Sequence, residues 1–276
     1  MLVGYPDPLA DSTVVALPFS RSHIERLGAR LIAEAEPPEA DIAELHQLLE
    51  AYDEVLTGTL TRVRAAMDVA PTSRVKNTGT ILEKLHRHGG SWLKSMHDLA
   101  GMRIVNGANR NEQDTLVRQL IELFADEPRE PRVIDRRENP SHGYRAVHVI
   151  AFPEDMAVEI QVRSRWQHEW ADMFEKVADL IGRDIRYGAP PEHWQAESKR
   201  AAFSAPEAAL YDAEYRMRQG VVTVAVLVAD LIGLAEEMEK ILPTAPELAG
   251  YRRETAENLV DLRRRIEQVR ALAARH

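Results

Sequence analysis

Apolar and polar positions alternate with a period of two through Val158-Glu159-Ile160-Gln161-Val162-Arg163. In an extended chain this puts Val158, Ile160 and Val162 on one face and Glu159, Gln161 and Arg163 on the other. Such a strand belongs to a sheet with a core on one side and an acid, an amide and a guanidinium on the other. Residues 144–152 read as a second strand, and 153–156 as the turn between the two. A hairpin pairing Phe152 with Ala157 sets His148 opposite Gln161 and Ala146 opposite Arg163, with Tyr144 extending that face. A slip of one residue would invert every side chain.

Elsewhere the spacing is three and four. Residues 21–70 read as helices whose apolar stripe is Leu45, Leu49, Tyr52, Leu56, Leu60 and Val63. The middle of the chain predicts a helix at 80–88, a strand at 101–105, a helix at 111–125, the hairpin, and a helix at 164–181. Beyond Pro190 helices are expected at 206–219, 221–242 and 246–274. The pattern predicts an α/β fold, a mixed sheet flanked by helices, with all-helical N- and C-terminal extensions. The expected divisions are 1–70, 71–190 and 191–276.

With 276 residues, 45% of them hydrophobic, the chain can bury a sizeable core. It contains no cysteine, which excludes disulfides, thiolate metal sites and cysteine nucleophiles and fits a reducing cytoplasm. Residues 1–17 lack the basic start and apolar run of a signal peptide. The most apolar segment, 221–234, is short and contains Asp230, so it reads as a packed helix and no membrane span is expected. Residues 1–70 hold five Arg against twelve Asp and Glu, whereas 71–190 hold eighteen of each sign. The acidic flank argues against broad nucleic-acid binding, while a neutral centre can still hold a local basic cluster for a polyphosphate. Arg263, Arg264 and Arg265 read first as a solvated helix face.

Two further constellations stand out. Arg74, Lys76, Thr80 and Lys84 surround a Gly79-containing turn that enters a helix, with Lys84 one turn after Thr80. They read either as a solvated helix start or as a phosphate cradle. The GxxxxGK[ST] spacing is absent, which disfavours a P-loop. Asp98 precedes the strand that carries Arg103; it reads either as a turn cap or as a carboxylate that joins Glu159 in holding Mg²⁺. His97-Asp98 alone, without further His and Asp at supporting spacing, is a poor match to a metal-dependent phosphohydrolase. Glu159, Gln161 and Arg163 likewise have a plain reading, as the wet side of an antiparallel sheet.

Taken in order, Arg74-x-Lys76-x₃-Thr80-x₃-Lys84, then Asp98-Leu-Ala-Gly-Met-Arg103, then Gly143-Tyr144-Arg145-Ala146-Val147-His148, then Glu159-Ile-Gln161-Val-Arg163 resemble the synthetase domain of the RelA/SpoT family over residues 70–190. The resemblance implies a nucleotidyltransferase-like fold and an Mg²⁺-dependent pyrophosphokinase. Such an enzyme moves the β,γ-diphosphate of ATP onto the ribose 3′-hydroxyl of GDP or GTP and makes (p)ppGpp-type alarmones. It implies that Arg74 and Arg103 sandwich the adenine and that Lys76, Thr80 and Lys84 hold the ATP phosphates. Asp98 and Glu159 would bind the metal, and Glu159 would also activate the acceptor hydroxyl. Tyr144 would stack on the acceptor base while His148, Gln161 and Arg163 steady its ribose and phosphates. These roles suit phosphoryl-type transfer, which needs positioning and charge neutralisation more than a covalent intermediate.

The sequence also departs from the family. Neither the HD-type hydrolase domain nor the regulatory domains of the long members are visible, so a small stand-alone synthetase is expected. The usual Lys and Asn before the Gly-Tyr pair are replaced by Asn139-Pro140-Ser141-His142, and Thr80 stands for a usual Ser. Arg132, Arg136, Arg137 and Arg145 are the candidates to replace the lysine; the gap also fits an acceptor with a short polyphosphate or none. The alternative resembles toxic small synthetases that pyrophosphorylate the tRNA 3′ end or make adenosine alarmones and are neutralised by an antitoxin. Helical flanks can pack on the catalytic part, on a second copy in a homo-oligomer, or on such a partner. A catalytically dead nucleotide sensor is disfavoured, because every matched charged position is intact.

Overall fold

The computed structural model describes residues 15–106, 110–187, 220–233, 236 and 246–273. Five strands form one sheet: β1 (Thr72–Val75), β2 (Ala100–Val105), β3 (Arg132–Asp135), β4 (Val147–Ala151) and β5 (Val158–Arg163), in the order β1-β2-β5-β4-β3. β1 and β2 are antiparallel, pairing Thr72 with Arg103 and Arg74 with Gly101. Six residues join β4 to β5, through a 3₁₀ turn at Pro153–Asp155; so short a connection fits only an antiparallel pair. The helices are α1 (Arg21–Arg30), α2 (Glu39–Ala66), α3 (Thr78–His88), α4 (Arg110–Leu123), α5 (Arg165–Ile181), α6 (220–233) and α7 (Pro246–Ala273). The expected mixed sheet with flanking and terminal helices is therefore the observed architecture.

By contact density the chain forms two compact units. One comprises Met1–Ile104, Gln119–Arg132 and Val149–Ile160; the other comprises Val105–Arg118, Val133–His148 and Gln161–His276. β5 runs from the first into the second.

In the first unit α2 buries Leu45, Leu48, Tyr52, Val55, Leu56, Thr59 and Val63. The expected stripe was one position off in places: Leu49 and Leu60 are only half-buried, while Leu48, Val55 and Thr59 take the core positions. A 3.6-residue period carries the buried line through 45, 48, 52, 55–56, 59 and 63. Thr59 enters that line by donating its hydroxyl to Val55 O at 2.6 Å, which removes the cost of burying it.

The second unit is built on α5. Its capping box pairs Ser164 Oγ with the Gln167 amide and Gln167 Oε1 with the Ser164 amide, satisfying two donors of the first turn. Trp166, Trp170, Met173, Phe174 and Val177 form one buried cluster with Ala225, Ala229 and Ile232 of α6 and Leu259 of α7. Arg263 pairs with Glu169 and Asp172, whereas exposed Arg264 and Arg265 pair with Asp261 one turn back. That agrees with the solvated-face reading for the last two only.

Other boundaries moved. Thr72–Val75 and Arg132–Asp135, to which no element was assigned, are short edge strands whose exposed positions carry no alternation. The strand expected at 144–152 begins at Val147. Before it, His142 (φ 50°) and Gly143 (φ 86°) make a tight turn closed by an isolated bridge from Ser141 to Tyr144. The N-terminal helical region ends at Ala66, and the helix expected at 206–219 lies outside the described residues.

Candidate nucleotide site

In the first unit, β1, α3 and the entrance to β2 bring together three residues far apart in sequence. The Lys76 amide donates to Leu99 O at 2.8 Å, extending the β1–β2 ladder and fixing where the Lys76 side chain starts. Asn77 then caps α3 by accepting from the Thr80 amide at 2.9 Å, and the Thr80 hydroxyl donates to Asn77 O. One turn after Thr80, Lys84 points back along the helix. Its Nζ lies 2.9 and 3.0 Å from the Asp98 oxygens, and Lys76 Nζ lies 2.6 Å from Asp98 Oδ2. Burial raises the Asp98 carboxyl, but the charges of Lys76 and Lys84 and their hydrogen bonds outweigh it and hold it below its ordinary value. Two cations thus share one anion, an arrangement suited to receiving further negative charge.

The face of the sheet beside this triad is set by register. Residues paired across antiparallel strands share a face, so Arg74 lies with Gly101, and Arg103, two residues on, lies with them. Long side chains at such diagonal positions, about 7–8 Å apart at their α-carbons, can reach a common ligand. A Cβ on Gly101 would sit 3.1 Å from Glu159 O and 3.9 Å from Glu159 Cβ, so the glycine lets β5 bring Glu159 alongside. Both Asp98 and Glu159 act on the His97 ring. Burial, then Arg132 and Arg129, lower its pKa, and the two carboxylates oppose them. Among the described residues no group of three or more His, Cys, Asp and Glu converges as a metal cage. Two carboxylates fit Mg²⁺ chemistry nonetheless, because Mg²⁺ is commonly held by one or two carboxylates together with waters and substrate phosphates.

In the second unit the Tyr144 hydroxyl lies 2.9 Å from His148 Nε2 and accepts from Arg163 Nη2 at 3.1 Å. The same Arg163 nitrogen donates to Gln161 Oε1 at 2.8 Å, and the guanidinium carbon lies 5.0 Å from the Tyr144 ring centroid. These four residues form one connected group. Glu159 and Gln161 are half-buried and Arg163 is 3% exposed, so the strand face is not simply a wet side of the sheet. The buried Arg163 Nε finds no hydrogen-bond partner among the described residues.

Of the four arginines proposed to replace the missing lysine, two are committed elsewhere. Arg137 is held by Asp135, by Asp114 at 2.6 Å and by Gln113 at 3.1 Å. Arg145 donates to Asp230 at 2.9 Å. Sequence reading missed this network, together with Gln113 donating to Val162 O, and Glu236 joined to Ser164 and Gln167. Separations of up to 85 residues leave no local signal for such pairs.

Residues 73–179 match a family described as a region found in RelA / SpoT proteins. Uncharacterized proteins of Mycobacterium tuberculosis and Mycobacterium bovis are 36% identical to this chain over 196 residues, spanning 68% of it and 71% of theirs. Among solved structures, small alarmone synthetase 2 of Bacillus subtilis has a TM-score of 0.45 at 21% identity, covering 71% of this chain and 97% of that one. Small alarmone synthetase 1 of the same organism, bound to its product pppGpp, has a TM-score of 0.45 at 18% identity, covering 68% and 99%.

Proposed function

The chain belongs to the RelA/SpoT family, and on that premise we propose that it is an ATP-dependent pyrophosphokinase acting on the ribose 3′-hydroxyl of GDP or GTP. The observation that carries the reading is the pair of lysines sharing Asp98. In this reading residues 71–190 are the catalytic part. Arg74 and Arg103 grip the adenine, and Lys76, Lys84 and Thr80 take the triphosphate. As the phosphates replace Asp98 on the two ammonium groups, the carboxylate is left to act with Glu159. The two would hold Mg²⁺, which would supply charge neutralisation at the phosphates. Glu159 accepts the proton of the 3′-hydroxyl, Tyr144 stacks on the base, and His148, Gln161 and Arg163 position the ribose and phosphates.

A second reading has its own support: Arg137 and Arg145 are already neutralised by carboxylates, which leaves fewer cations for a 5′-polyphosphate. That favours an acceptor with few or no phosphates there, such as the tRNA 3′ end, in a toxic synthetase neutralised by an antitoxin. γ-Labelled ATP offered with GDP, GTP, ATP or tRNA separates the two. Label on GDP or GTP supports the first reading; label on tRNA or ATP alone replaces it with the second. Label on nothing rejects both.

A further inference from the structure

Within the second unit the turn that carries Tyr144 meets α6 on either side of the tyrosine, at Gly143 and at Arg145. At Gly143, a built Cβ would lie 2.9 Å from Trp170 Cζ2 and 3.0 Å from Ala229 Cβ, and its φ of 86° suits glycine. At Tyr144, the ring packs on the cluster formed by α5, α6 and α7. At Arg145, the guanidinium donates to Asp230 and lies so close over Gly233 that a Cβ there would sit 2.7 Å from Arg145 Nε. α6 itself is anchored independently, because Trp170 Nε1 donates to Ala225 O at 2.7 Å. Ala225, Ala229, Asp230 and Gly233 thus present one helix face to a turn about 85 residues away in sequence.

We infer that Asp230 and Gly233 of α6 are positioning residues for the acceptor, seating Arg145 so that the adjoining Tyr144 is held where it stacks on the acceptor base. This rests on the reading of Tyr144 as an acceptor contact. His142 and Gly143 belong to no regular strand and the turn is closed by an isolated bridge, so the seat of Arg145 adds a tertiary restraint on residues 141–145. The latch acts on binding of one substrate: the donor residues Lys76, Lys84 and Asp98 belong to the other unit. It therefore separates acceptor from donor affinity.

Two variants disturb the latch by opposite routes. Asp230→Ala leaves the mostly buried Arg145 guanidinium without its anion. Gly233→Ala removes a helix-weakening glycine, which favours α6, yet puts a methyl group where Arg145 lies. Both are expected to raise the acceptor KM about threefold to tenfold with the ATP KM unchanged, as loss of a partly exposed ion pair and its packing implies. Asp230→Glu should restore the wild-type value. Labelling with 3-fluorotyrosine, with the Tyr144 signal assigned from Tyr144→Phe, reads the turn without any activity. Its resonance should shift or broaden in both variants. An unchanged Tyr144 resonance overturns the latch. A shifted resonance with an unchanged acceptor KM in an active enzyme overturns its role for the acceptor, as does an equal rise in both KM values. If wild-type protein transfers label to no acceptor, the proposed function fails while the resonance still decides whether α6 holds the turn.

Discussion

Replacing Asp98 by Asn keeps the shape of the side chain and removes the anion that Lys76 and Lys84 share. The three side chains are 27%, 17% and 26% exposed, so the pair of cations is left substantially desolvated. Removing one partner of a buried ion pair costs about 3–5 kcal/mol, and the residual exposure here reduces that to about 2–3 kcal/mol. The pH dependence follows from the sign of the shift. The Asp98 carboxyl is held below its ordinary value in the folded protein, so its contribution is present above the unfolded value of about 4 and disappears as pH falls through the folded value. Urea unfolding should therefore show a constant deficit in Asp98→Asn between about pH 5 and 8, narrowing below about pH 4. Ligand binding should move the other way. With the lysines released, metal-free ATP is expected to bind Asp98→Asn at least as tightly as wild type by calorimetry, while diphosphate transfer falls about 10²-fold. A deficit that grows on acidification, or ATP binding and turnover lost in proportion, would refute the assignment of the triad as a site that exchanges carboxylate for phosphate.

Tyr144→Ala should weaken acceptor binding by about 1–3 kcal/mol if the ring stacks on a base; unchanged acceptor affinity in equilibrium binding rejects that role. Arg137→Met leaves Asp135 and Asp114 facing each other without their shared cation and should cost about 2–4 kcal/mol at pH 7. Burial raises the Asp135 carboxyl but bonding to Arg137 holds it low, so that deficit should shrink below about pH 4, which thermal unfolding at pH 7 and 4 checks. Burial pushes the Tyr52 phenol up to about 12, with Arg21 opposing. Ultraviolet titration should leave Tyr52 mostly un-ionised at pH 11 while the protein stays folded, and Tyr52→Phe should remove that late step.

The elements legible in the sequence were those in which burial repeats locally. β5 shows it best: Val158, Ile160 and Val162 are each fully buried, on the face that alternation assigned to the core. α5, expected from Ser164, begins at Arg165, where Ser164 and Gln167 form a cap within four residues. Edge strands β1 and β3 were not legible, since their conformation comes from the strand beside them rather than from any pattern of their own. Lys76 with Lys84, and Asp98, were read as two separate constellations; their direct ion pairs were not foreseen, because opposite charges 14 and 22 residues apart carry no periodicity. The commitment of Arg137 and Arg145 was invisible for the same reason, and it bears on which acceptor the site can take.

If the diphosphate leaves ATP as one unit and Glu159 assists its transfer, [γ-³²P]ATP with GDP should give AMP and a labelled guanosine product in equal amounts by chromatography, both abolished by Glu159→Gln in a folded protein. Release of ADP and labelled orthophosphate without AMP, or undiminished AMP formation by Glu159→Gln, would contradict this route.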